Sequence, residues 1–110
     1  MKAFVFAAFA LAALPAFAQD AQSRNLAAGC AICHGTEGRP VKDSPVIPLA
    51  GLPRDHIATQ MRAFRDGKRP ATVMHQIAKG YTDPQIDALA AWFAAQKKYC
   101  LLYTSDAADD

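Results

Sequence analysis

The chain lacks three things that would each have pointed somewhere. No stretch alternates apolar and polar residues as a strand would. No apolar run reaches the roughly 18 residues that a membrane-spanning helix requires. No dense Lys/Arg run of the kind that reads nucleic acid occurs. A length of 110 residues leaves room for one small domain, which excludes multi-domain enzymes, repeat arrays and long coiled coils. What is present, 52% apolar and 20% charged residues, excludes a disordered chain. A domain this small buries little apolar surface and ordinarily needs a disulfide, a metal or a cofactor for support.

Two terminal pieces are expected to stand apart from that domain. Met1 and Lys2 precede an apolar stretch from Ala3 to Leu14, and Ala16-Phe17-Ala18 then supplies a small-x-small cleavage pattern. Residues 1–18 therefore read as a secretory signal cleaved after Ala18, which implies export, most simply to a bacterial periplasm. No Cys follows the cleavage point, so a lipid anchor is not indicated. At the other end, residues 100–110 (Cys100-Leu101-Leu102-Tyr103-Thr104-Ser105-Asp106-Ala107-Ala108-Asp109-Asp110) have no periodicity and resemble the translation of a transposase-based sequencing adapter. They are set aside as an expected artefact. The remaining domain, 19–99, holds 11 Lys+Arg against 7 Asp+Glu and is mildly basic.

Three cysteines thus become two, Cys30 and Cys33, in the run Cys30-Ala31-Ile32-Cys33-His34. This is the spacing for covalent attachment of a c-type haem. Thiols three positions apart at a helix end can both reach the vinyl groups of one haem, and His34 can then offer its imidazole to the iron. Rival chemistries fit less well. A thioredoxin-like site wants a preceding strand, and the flank here is helical. A zinc site needs two further ligands in paired spacing, which the other histidines do not supply. A structural disulfide is the plain alternative in an exported protein.

A second axial ligand must come from His56, Met61, Met74 or His75. Residues 53–66 place Ile57, Met61 and Phe64 on one face of a helix ended by Gly67, which makes Met61 a core residue. His56, in the first turn among charged neighbours, reads as solvated. Met74 and His75 lie on a short segment from Thr72 to Lys79 and point about 100° apart, so only one can face the iron. Met74 shares its face with Ile77 and Ala78, and His75 shares its face with Lys79, which favours Met74. Elsewhere, residues 20–29 predict an Ala-rich helix, and 35–52 predict an irregular loop rich in Gly and Pro. The last helix is predicted to start at Thr82 with a capping box to Gln85 and Pro84 in its first turn. Ile86, Leu89 and Phe93 form its apolar stripe, with Trp92 as core packing against the first helix.

From Asn25 to Lys97 the chain resembles a small bacterial class I cytochrome c. Beyond Cys30-Ala31-Ile32-Cys33-His34-Gly35, the likeness rests on Ile47-Pro48-Leu49-Ala50-Gly51, Phe64-Arg65-Asp66-Gly67-Lys68-Arg69, Met74 with Ile77-Ala78, and Ala90-Ala91-Trp92-Phe93. The stretch from Thr72 to Tyr81 is similar to the haem subunit of flavocytochrome c sulfide dehydrogenases. Those subunits often carry two haem domains, whereas this chain has one Cys-x-x-Cys-His. The resemblance implies an all-α cytochrome c fold of short helices around one covalent haem c, with His34 and Met74 as the iron ligands. It also implies that the Pro48 carbonyl holds the proximal imidazole and that Arg69 lies near the haem propionates.

The expected function is one-electron transfer, because His/Met ligation leaves no coordination position open for substrate. The chain is then an electron carrier and not an autonomous enzyme. Its partners would be redox proteins, with neither nucleic acid nor stable membrane insertion involved. Two other readings stand beside this one: the haem subunit of a flavoprotein sulfide dehydrogenase, and a ligand-binding or peroxidase-like haem protein in which Met74 is absent or labile. Arg62, Arg65, Lys68, Arg69 and Lys79 suggest a basic docking face for an acidic partner, or else an ordinary solvated surface.

Overall fold

The computed structural model describes residues 15–98, with side chains from residue 21 onward. Residues 1–14 of the expected signal and all of the expected appended segment 100–110 lie outside the described residues. Five helices follow in order: α1 (Pro15–Ala28), α2 (Ala31–His34), α3 (Arg54–Arg65), α4 (Met74–Ala78) and α5 (Asp83–Ala94). Among the described residues there is no strand, only an isolated bridge between Thr36 and Arg39. None of the described helices is long and apolar enough to cross a membrane.

Local chemistry explains where the helices begin and end. The Thr82 hydroxyl accepts from the Gln85 amide while the Gln85 side chain accepts from the Thr82 amide, so the predicted capping box closes the start of α5. Helix α3 ends in a paired turn. The Gly67 amide donates to Phe64 and the Lys68 amide to Ala63, with Gly67 at φ +74°. Two expected bounds shift: α1 starts earlier than residue 20, and α4 is five residues long where eight were expected.

Helix α5 carries the core. Ile86, Leu89, Ala90 and Phe93 are buried along it and meet Ala27 of α1 and Ile57 and Ala58 of α3. Trp92 stands edge-on to Phe93 with ring centroids 5.2 Å apart, in the packing role expected of it. Met61 also packs against this cluster, and His56 is exposed, as the periodicity implied. Helix α4 packs on α3, and its Ala78 is fully buried.

The start of α5 supplies carboxylates to the basic groups of α3. Arg62 bonds Asp83 at 3.0 Å and Asp87 at 2.7 Å, and Arg65 bonds Asp83 at 2.8 Å and Asp66 at 3.2 Å. Both guanidinium groups are therefore matched by carboxylates that lie far away in sequence, and they do not present free charge to a partner. Lys68 and Lys79 carry no ion pair among the described residues. Hydrogen bonds from Arg65, then Arg62, hold the Asp83 carboxyl below its ordinary range. A depressed carboxyl contributes stability above its unfolded-state pKa near 4, and that contribution disappears as pH falls through the folded value. Asp83→Asn is accordingly expected to lower the urea midpoint at pH 7 and to leave it unchanged near pH 2. An equal loss at both pH values would contradict the ion-pair account.

Candidate cofactor-binding site

The Cys30–His34 segment is one helical turn. The His34 amide donates to the Cys30 carbonyl at 2.9 Å and the Gly35 amide to Ala31 at 3.0 Å. Residues at i, i+3 and i+4 share a helix face, so this turn gathers Cys30, Cys33 and His34 on one side. Both cysteines are free thiols, Cys30 half-buried and Cys33 exposed. Burial, and then the neighbouring Cys33, pushes the Cys30 thiol above its usual range, which holds it protonated at neutral pH. Among the described residues no group of three or more His, Cys, Asp and Glu side chains could hold a metal ion on its own, which disfavours the zinc reading.

His34 is 9% exposed, and its Nδ1 lies 2.9 Å from the Ile47 carbonyl oxygen. A carbonyl can only accept, so Nδ1–H donates and the lone pair of Nε2 is left for a metal. The resemblance assigned this role to Pro48, and the structure corrects it by one position. The acceptor is the carbonyl before the proline, in the Ile47–Pro48 peptide, while Pro48 itself is exposed. The ring of Pro48 favours extended backbone at Ile47, which helps fix where that carbonyl points.

The loop that delivers Ile47 is irregular but tightly stitched. The Gly38 carbonyl accepts from the amides of Leu49 and Ala50, at 2.9 and 3.1 Å, and the Gly51 amide donates to Phe93 of α5 at 2.9 Å. Arg39 pairs with Glu37 and donates to the Lys97 carbonyl at 2.8 Å. Gly35 opens this loop at φ +83° and ψ +165°, a region that essentially only glycine occupies.

Met74 begins α4 and is in contact with His34. Its neighbour His75 departs from expectation. It is half-buried rather than turned outward with Lys79, and its Nδ1 is shielded from solvent without a hydrogen-bond partner. Arg69 stacks on the Phe64 ring, 4.8 Å from its centroid, and bonds Gln60. Tyr81 carries a role the sequence did not reveal. It packs against the core, its hydroxyl lies near Gly29, and burial followed by the charge of Cys30 raises its pKa. Its placement beside the attachment turn depends on contacts about 50 residues apart, which no local pattern encodes.

These residues fit a covalently held haem. Two free thiols share a face with an imidazole whose outer nitrogen is already engaged, and a thioether meets that imidazole. Ile47, Val73 and Ile77 add exposed aliphatic surface at the His34 acceptor and at Met74, with Ile47 56% and Val73 55% exposed. An apolar macrocycle is a suitable cover for such groups.

No protein-family model matches the chain. Individual proteins do. Over 96 residues, 84% of this chain and 84% of the relative, it is 40% identical to the cytochrome subunit of sulfide dehydrogenase from Chlorobaculum tepidum. It is 33% identical over 72 residues to cytochrome c-554(548) of Halomonas halodenitrificans, covering 62% of this chain and 84% of that one. A third likeness, 39% over 71 residues, is to the thiosulfate dehydrogenase electron acceptor of Thiomonas intermedia. It covers 64% of this chain but only 33% of that protein.

Proposed function

The chain belongs to the class I cytochromes c and is an electron carrier with one covalent haem c, and from that premise we propose that it works in the periplasm with His34 and Met74 as its axial ligands. The observation that supports the ligand assignment is the hydrogen bond of His34 Nδ1 to the Ile47 carbonyl, which leaves Nε2 as the available donor in a residue that contacts Met74. Bound haem supplies a one-electron iron couple, whose potential His/Met ligation raises.

The protein's own residues do the rest. Cys30 and Cys33 hold the group covalently and limit its loss. The Ile47 carbonyl orients the His34 imidazole and makes it a stronger donor. Met74 would supply the second protein ligand to a bound haem and so keep water and small ligands from the iron. Ile47, the His34 acceptor, and Val73 and Ile77, on either side of Met74 in sequence, would supply apolar cover that lowers the local dielectric. Arg69, placed with Gln60 beside Phe64, is the cation offered to the propionates.

The periplasmic reading rests on the charged start, the apolar stretch and the small-x-small pattern ending at Ala18. For partners, a second reading has specific support. The likeness to a sulfide dehydrogenase cytochrome subunit runs over most of both chains, which favours a flavoprotein subunit as electron donor over an unrelated carrier. Co-purification of a flavin-containing chain from the native source would support that reading, and isolation as a lone haem protein would count against it.

The ligand assignment is tested by Met74→Leu, a near-isosteric change. The oxidised variant should keep its covalent haem and lose the weak red-region band of sulfur-to-iron charge transfer. Survival of that band would place another sulfur, most simply Met61, on the iron. Met61→Leu itself should leave the band intact and cost less than about 1.5 kcal/mol of stability.

A further inference from the structure

The imidazole of His75 presents a problem that the assigned site does not resolve. Its Nδ1 is shielded from water and has no hydrogen-bond partner. Such an atom ordinarily carries an uncompensated desolvation cost and calls for a physical reason. His75 stands next to Met74 on α4, a helix of only five residues whose N-cap, Val73, makes no side-chain capping bond. A helix so short gains little from its own hydrogen bonds, so its first turn can be rewound at small cost. Consecutive helical residues differ by about 100° in direction. One step of rewinding at the start of α4 therefore carries His75 to where Met74 stood. Ala78, fully buried near the end of a helix that packs on α3, anchors the far end throughout.

We propose that His75 is a reserve axial ligand, which takes the iron position whenever the Met74 thioether is removed. The proposal rests on the reading of Met74 as the distal ligand. Imidazole is well suited to iron, as His34 on the other side already shows. The unpartnered nitrogen is then a donor held out of water one residue from Met74, with no hydrogen bond to break before it binds. Other nitrogen donors are placed less favourably. Lys79 lies beyond the buried Ala78 anchor and is exposed, and His56 sits exposed in the first turn of α3.

The test compares two haem-loaded variants by electron paramagnetic resonance of the oxidised iron. Met74→Ala should be low-spin, and Met74→Ala combined with His75→Ala should become high-spin. Added imidazole should bind the double variant at least tenfold more tightly than Met74→Ala, because only in the latter must it displace an internal ligand. Met74→Leu, alone and combined with His75→Ala, repeats the comparison at nearly constant side-chain volume, should the alanine forms fold poorly. A high-spin Met74→Ala, or a double variant that stays low-spin, would overturn the reserve role while leaving Met74 as the native ligand. Persistence of the sulfur charge-transfer band in Met74→Ala would instead overturn the underlying assignment.

Discussion

Replacing Gly35 with alanine is expected to remove at least about 4 kcal/mol of stability, whereas the same change at Gly67 is expected to remove only about 1–2 kcal/mol. Both glycines have positive φ, +83° and +74°, and Gly35 with ψ +165° lies in a region that essentially only glycine occupies. Their surroundings separate them further. A Cβ on Gly35 would lie 2.1 Å from the Arg39 carbonyl oxygen, 2.3 Å from its carbon and 2.5 Å from the Pro40 Cα, all of them backbone. Backbone cannot swing aside as a side-chain tip does, so the whole Thr36–Arg39 turn must move. That turn leads into the segment that brings Ile47 to His34. At Gly67 a Cβ would meet nothing within 4 Å. For a domain this small, 1 kcal/mol corresponds to about 4–8 °C in Tm, so Gly35→Ala should lose some 15 °C or more. Thermal unfolding followed by circular dichroism measures both variants. Melting points within a few degrees of each other would contradict the turn geometry.

A second large effect is expected from Cys30→Ala combined with Cys33→Ala. Without thioether links the haem should be extracted by acidified organic solvent, and the protein should lose most of its helical signal with it. The reason lies in the size of the core. The buried apolar residues are few, and several of them are alanines: Ala27, Ala50, Ala58, Ala78 and Ala90. Ile47, Val73 and Ile77 remain exposed on the protein side. Covering aliphatic side chains of this kind is worth about 1.5–3 kcal/mol each when burial is complete. Even partial cover of three such groups therefore supplies several kcal/mol, comparable with the total stability of a small domain. Each single variant retains one tether and should keep the fold. A double variant that stays fully helical without bound haem would show that the protein core suffices alone.

The parts legible in the sequence are those set by neighbours. The attachment turn is five consecutive residues, and the Thr82–Gln85 box spans four, so each is written in one local run. The stripe of Ile86, Leu89 and Phe93 is likewise a periodicity within one helix, and it does form the core. What escaped depends on distance along the chain. The carboxylates matching Arg62 and Arg65 come from Asp83 and Asp87, 18 to 25 residues away, and a charge run read alone looks like a free basic face. The imidazole acceptor is 13 residues from His34, and the Gly51–Phe93 bond that braces its loop joins two distant segments. His75 shows the limit of face arguments on α4. With barely more than one turn of helix, the neighbours packed around it decide burial, and periodicity does not.

The central claim is that both axial positions of one covalent haem are filled by this chain, His34 on one side and Met74 on the other, so that it carries electrons and binds no substrate at iron. Addition of carbon monoxide to the reduced protein at neutral pH tests this directly. The account predicts an unchanged visible spectrum, because Met74 occupies the position carbon monoxide would need. Rapid conversion to a carbon monoxide-bound spectrum would contradict it and would mark the chain as a ligand-binding haem protein.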